Sequence, residues 1–317
     1  MRRRRRMLRL LALVAAVAAL TVAALAWPGR SARAEALISF RLPARGAHRF
    51  SPNAPDLAAA APGAAPLLLF LPATGAQPAE YARFLRQAHD VGYSVLGLDY
   101  WNTGPSLARS CEGDMGCYGA MLANRFDGSD PTRFSRVTAA DSIDSRLVTA
   151  LGYLRRHDPA GRWQRYLRPD GDVRWRDLVL AGHSQGGGEA VFIAHRYPVR
   201  GVLLFSAPAQ SLDGRTADWL SRPGATPASR IWALDDVHDM YAARIAPTWR
   251  ALGIRAGAPA QLPTGAHGLL TTLRLGDGVQ SHSRVVTDRT PLGADHEPVL
   301  APTWRWMLSR PLATGTA

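Results

Sequence analysis

Leu178–Ala190 reads LVLAGHSQGGGEA, an apolar run that enters a serine set between glycines. A short apolar run bounded by turn residues is a buried strand. The segment after Ser184 has helical length and no proline until Pro198. The stretch therefore predicts a strand over 178–181, a sharp turn at the serine, and a helix over 184–197. Gly182-His183-Ser184-Gln185-Gly186 is the G-x-S-x-G pattern. In a strand-to-helix setting this pattern is a nucleophile elbow, with the serine in a strained backbone conformation at the sheet edge. The flanking glycines let strand and helix approach closely. Gly187 and Gly188 exceed what the pattern requires.

Outward from this segment the same alternation repeats. Leu67–Leu71 (LLLFL) and Tyr93–Leu98 (YSVLGL) read as strands around a helix from Pro78 to Val91. Residues 138–157 read as a long helix with an apolar stripe through Ile143, Leu147, Leu151 and Leu154. Downstream, 202–205 and 231–234 read as strands, 240–252 as a helix, 283–286 as the last strand and 299–308 as the last helix. Residues 37–42 read as a first strand, and 51–66, rich in Ala and Pro, as a surface connection. Residues 101–136 lack periodicity and are expected to form a long functional loop near the substrate pocket, with Trp101, Met115, Tyr118 and Phe126 as candidate lining. Alternating strands and helices imply an α/β fold: one mostly parallel central sheet with helices on both faces. No repeat or composition shift divides residues 35–317, which are expected to be a single domain.

Among 317 residues the formal net charge is +13, every basic residue is Arg, and the charge is uneven. Residues 1–34 hold eight Arg and no acid, which leaves 30 Arg against 25 acids in 35–317. No basic cluster of the kind that nucleic acid requires appears in that remainder. Residues 1–34 combine Arg2–Arg6, an apolar Leu10–Ala26 and Ser31-Ala32-Arg33-Ala34, the pattern of a signal peptide for secretion or periplasmic export by the general or the twin-arginine route. Export favours a disulfide between Cys111 and Cys117, the two cysteines of the chain. No stable membrane span is expected after cleavage. Neither a metal nor an organic cofactor is implied.

Residues 67–308, and AGHSQGG at Ala181–Gly187 in particular, resemble the α/β-hydrolase superfamily, especially its secreted bacterial lipases and esterases. The resemblance implies a serine hydrolase acting on a carboxylic ester of a small molecule, lipid or polymer, with the triad in chain order Ser, acid, His. Ser184 is then the nucleophile. The base belongs in the loop after the last strand, and with that strand at 283–286 His296 is the histidine in place. The acid belongs after 231–234, where Asp235, Asp236 and Asp239 all qualify and Asp239 fits the register best. The oxyanion donors implied are the N–H of Gln185 and one N–H after 67–71, from Thr74 or Gly75. The same fold also accommodates amidases, peptidases, polyester depolymerases and non-catalytic binding proteins.

Overall fold

The computed structural model describes residues 37–46, 53–257 and 265–313. The expected signal peptide lies outside these residues. Among them, nine strands form one sheet: β1 (Ile38–Phe40), β2 (Asp56–Ala59), β3 (Leu67–Leu71), β4 (Ser94–Gly97), β5 (Leu178–His183), β6 (Gly201–Phe205), β9 (Ile231–Asp236), β10 (Ala256–Gly257) and β11 (Gly268–Thr271). Two further strands, β7 (Ser211–Leu212) and β8 (Arg215–Thr216), make a small antiparallel ribbon. The sheet order is β1-β2-β4-β3-β5-β6-β9-β11-β10. β2 is antiparallel to both neighbours, and every other pairing is parallel.

The strand sequences explain this burial. All five residues of β3 are fully buried. Leu67, Leu69 and Leu71 face one core and Leu68 and Phe70 the other, as the two-residue period of a strand demands. The first core lies under helices α4 (Ile143–His157), α5 (Gln185–Arg196) and α6 (Ala242–Ala251). The second lies under α1 (Ala82–Val91) and α8 (Ala301–Ala313), with Trp304 wedged against Phe84. A sheet covered on both faces takes near-continuous apolar strands, which is what 67–71 and 178–181 are.

Three sequence expectations are corrected. The connection 51–66 contains β2, whose Leu57-Ala58-Ala59 is too weakly patterned to stand out. The long loop 101–136 contains α2 (Leu107–Ser110) and α3 (Met115–Asp127). Asp114 caps α3 by accepting the Gly116 and Cys117 N–H groups, and left-handed Gly128 ends it. The Cys111–Cys117 disulfide ties the two helices together. Met115, Tyr118 and Phe126 are core residues rather than pocket lining. The third correction decides the site. Residues 283–286 are no strand: α7 spans Gly278–Arg284, and Val285 and Val286 pack beneath α8, where the Val285 carbonyl accepts the Trp304 indole N–H at 2.8 Å. The last long parallel strand is β11, paired with β9 from Gly268↔Ala233 to Thr271↔Asp236.

Candidate active site

Ser184 sits where β5 meets α5, with φ 52° and ψ −115°. This left-handed conformation is strained for a side-chain-bearing residue, and the packing around it holds it in place. A Cβ on Gly182 would lie 2.3 Å from the Gly186 carbonyl, and one on Gly186 would lie 2.0 Å from the Leu71 carbonyl oxygen. Both glycines are demanded by backbone contact. Gly187 is demanded as well, because its Cβ would meet that of Ala207 at 2.4 Å.

The histidine beside Ser184 is His282, in α7. Its Nε2 is 2.8 Å from Ser184 Oγ, and its Nδ1 is 2.7 Å from Asp239 Oδ2. A carboxylate can only accept, so Nδ1 carries the proton and Nε2 faces the serine hydroxyl as acceptor. Asp239 Oδ1 takes the Tyr241 N–H at 2.6 Å. Burial pushes the Asp239 carboxyl upward, but hydrogen bonds from His282, Asp235 and the Tyr241 amide, with the His282 charge, hold it below the usual range. The three acids at and just beyond the end of β9 therefore divide. Asp239 faces the histidine. Asp236 turns to the N–H and Nδ1 of His238, at 2.8 and 2.9 Å. Asp235 lies behind Asp239, accepts from Ser206 Oγ at 3.1 Å, and is pushed up to about 9 by burial and the Asp239 charge.

His296, the expected base, is exposed at the tip of a turn with φ 63°. Its N–H bonds to the Gly293 carbonyl at 3.1 Å, and no hydrogen bond joins it to Ser184 or Asp239 among the described residues. The expectation failed because it placed the last strand at 283–286. With β11 at 268–271, His282 follows the last long strand and is the histidine that meets Ser184. The signal was present in the Gly268-Leu269-Leu270-Thr271 run, but two β-branched valines further on drew the strand assignment instead.

The loop after β3 is held at several points. Ala73 N–H bonds to Tyr81 OH at 3.1 Å, Gly75 N–H to the Asn102 carbonyl at 3.0 Å, and Tyr100 OH to the Pro72 carbonyl at 2.9 Å. The N–H groups of Thr74 and Gln185 have no hydrogen-bond partner among the described residues, while Thr74 Oγ1 donates to Gln185 Oε1 at 2.9 Å. Gly75 is thus committed elsewhere and Thr74 is free to serve. His183 faces away from the cleft, behind the serine. Its Nδ1 is 3.0 Å from Tyr81 OH and its Nε2 is 2.8 Å from the His282 carbonyl. Burial, aided by the nearby His282 charge, lowers it to about 3, so it stays neutral and supports the backbone of α7. The cleft around Ser184 offers about 20 Å³ and is lined by Thr74, Leu107, Gln185, Gln210 and Tyr241 among others.

A serine elbow at the carboxyl end of β5, in a parallel sheet whose second strand alone is reversed, decides the architecture. The chain has the α/β-hydrolase fold. Solved structures similar to this chain include a Thermus thermophilus protein, 18% identical over 88% of this chain and 99% of its own, with a TM-score of 0.43. Others are the dienelactone hydrolase of Anabaena variabilis (15% identity, 86% and 95% coverage, TM-score 0.39) and an S-formylglutathione hydrolase of Agrobacterium tumefaciens (13%, 86% and 94%, 0.43). No model of a protein family matches the chain, and no curated protein does. Among the described residues no group of His, Cys, Asp or Glu is arranged to hold a metal ion, and no helix is long and apolar enough to cross a membrane.

Proposed function

We propose that the chain is an exported serine hydrolase that cleaves a carboxylic ester through an acyl-enzyme. The observation that carries this reading is the continuous line Ser184 Oγ, His282, Asp239, with both links at 2.8 Å or less. A serine hydroxyl is a weak nucleophile until a base takes its proton. His282 Nε2 takes it as Ser184 Oγ bonds to the ester carbonyl carbon. The carbonyl oxygen becomes an anion and receives the N–H groups of Gln185 and Thr74 at the amino end of α5, where the helix dipole favours negative charge. Collapse breaks the bond to the alcohol, which leaves with the proton from His282. Water then repeats the sequence and releases the acid. Asp239 stays ionised throughout, fixing the imidazole tautomer and stabilising the imidazolium. The Cys111–Cys117 disulfide supports an extracytoplasmic location, with residues 1–34 as the export signal.

The test is a fluorophosphonate label followed by peptide mapping, beside turnover of p-nitrophenyl esters from acetate to palmitate. Labelling at Ser184 with ester turnover supports the reading, and the chain-length profile gives the pocket size. Labelling without turnover of any ester moves the assignment to another acyl substrate. A chain that takes no label at Ser184 is not a serine hydrolase.

A further inference from the structure

One donor in the cleft has no task in acyl transfer. Gln210 lines the cleft beside Ser184 and is 1% exposed. Its backbone is anchored, N–H to Thr248 Oγ1 at 3.2 Å and carbonyl to the Ala217 N–H at 2.9 Å. Its side chain is oriented by Trp219, whose indole N–H donates to Oε1 at 2.7 Å. That bond fixes which end of the amide is which, because the reverse orientation would set two donors against each other. The NH₂ end therefore points toward the first turn of α5. There Nε2 is buried and has no hydrogen-bond partner among the described residues. Buried donors in native proteins are almost always satisfied, so an unpartnered one on a residue that lines the cleft awaits an acceptor.

Gly188 belongs to the same feature. The elbow needs Gly182 and Gly186, and the loop at Ala207 needs Gly187, but no backbone presses on Gly188. A Cβ there would stand 2.9 Å from Gln210 Nε2, with Leu107 and Leu122 in ordinary contact at 3.8 and 3.9 Å. Alanine is the better helix former, so glycine at this place costs helix stability and leaves room for the amide instead. The third glycine after the elbow and the unpartnered donor explain each other.

We propose that Gln210 is a specificity-determining residue whose Nε2–H donates to an acceptor oxygen on the substrate, apart from the reacting carbonyl. The substrate class is then an ester that carries an ether, hydroxyl or second carbonyl oxygen within its acyl or alcohol part. This inference rests on the ester hydrolase reading. A site built to hydrogen-bond a substrate atom discriminates strongly against the analogue without it, since the buried group is otherwise left unpaired.

The test uses pairs in which one methylene is replaced by oxygen: p-nitrophenyl butanoate against p-nitrophenyl methoxyacetate for the acyl side, and butyl acetate against 2-methoxyethyl acetate for the alcohol side. The kcat/KM ratio within each pair is compared between wild type and Gln210→Met, so that intrinsic reactivity cancels. In at least one pair the preference for the oxygen-bearing ester should fall by about tenfold or more in the variant. Gly188→Ala, which sets a methyl against Nε2, should lower the same ratio and keeps the test available if Gln210→Met does not fold. Fluorophosphonate labelling confirms an intact nucleophile in each variant. Turnover of all four esters with both ratios unmoved overturns the role of Gln210 and leaves the ester reading standing. Absence of turnover on every ester overturns both.

Discussion

At the scale of single residues, the site depends on one histidine placed correctly and another excluded. His282 is 12% exposed at its side chain and bonded on both nitrogens, whereas His296 is exposed on a turn and joined to neither Ser184 nor Asp239. If Ser184 is activated by His282, His282→Ala should lower kcat by at least about a thousandfold, while His296→Ala should stay within about twofold of wild type. Steady-state hydrolysis of p-nitrophenyl acetate by both variants decides this, and a large loss in His296→Ala would reverse the assignment. The acids were legible only as a group. Three carboxylates in five residues are alike as sequence, and their roles separate only when the loop folds, Asp236 toward His238 and Asp239 toward His282.

At the scale of elements, the junction of β3, β5 and α5 is the closest packing in the site. The Gly186 position is filled by the Leu71 and Pro72 carbonyl groups, so Gly186→Ala should cost at least about 1–3 kcal/mol through forced backbone movement. Gly152, inside α4, is the counterexample: its Cβ would meet nothing nearer than an Arg156 side-chain nitrogen at 3.8 Å. Gly152→Ala should therefore stabilise by about 0.5–1 kcal/mol. Urea unfolding midpoints for the two variants should move in opposite directions, and a shared direction would contradict the packing account. Elements with strong local signals were legible from sequence: the uniform runs of β3 and β5 and the stripe of α4. The weak ones were not. β2 is an edge-side strand of mostly small residues, and Val285-Val286 has strand composition but is held in the second core.

At the scale of the whole molecule, buried ionisable groups set how stability follows pH. Burial raises Asp56 to about 7, Asp99 to about 6 and Glu189 to about 8, against the opposing pull of Arg146 on the first two and Arg125 on the third. Asp235 is raised to about 9. Each holds its proton in the folded chain to a higher pH than in the unfolded chain. The folded state therefore binds more protons, and stability falls as pH rises through the interval from about 4 to about 9. His183 acts oppositely, since its lowered value near 3 reduces stability only below about 6.5. The melting temperature should thus be higher at pH 6 than at pH 8, by several degrees. Asp235→Asn keeps a side-chain donor toward Asp239 and removes one of the raised acids. Its melting temperature relative to wild type should be greater at pH 8 than at pH 6. Calorimetry at the two pH values measures both, and a fold more stable at pH 8 would show that these groups ionise without cost.

Sequence by itself determined the fold class, the sharp strand-to-helix turn at Ser184 and the need for glycine around it, because these rest on local facts: apolar runs, turn residues and steric room next to Ser184. It also brought Asp239 and Thr74 into consideration as members of short loops following recognisable strands, and Gln185 as the residue after Ser184. Tertiary structure alone decided which histidine meets the serine. That choice depends on which short segment pairs with β9, a contact between residues 233–236 and 268–271 that the local strand signal of 268–271 does not specify. It likewise decided that Gly75 is occupied, that Asp235 stands behind Asp239, and that Gln210 presents an open donor. Each depends on segments distant in sequence, Asn102 against Gly75, Ser206 against Asp235 and Thr248 against Gln210, which come together only once the sheet has closed its order and covered both faces.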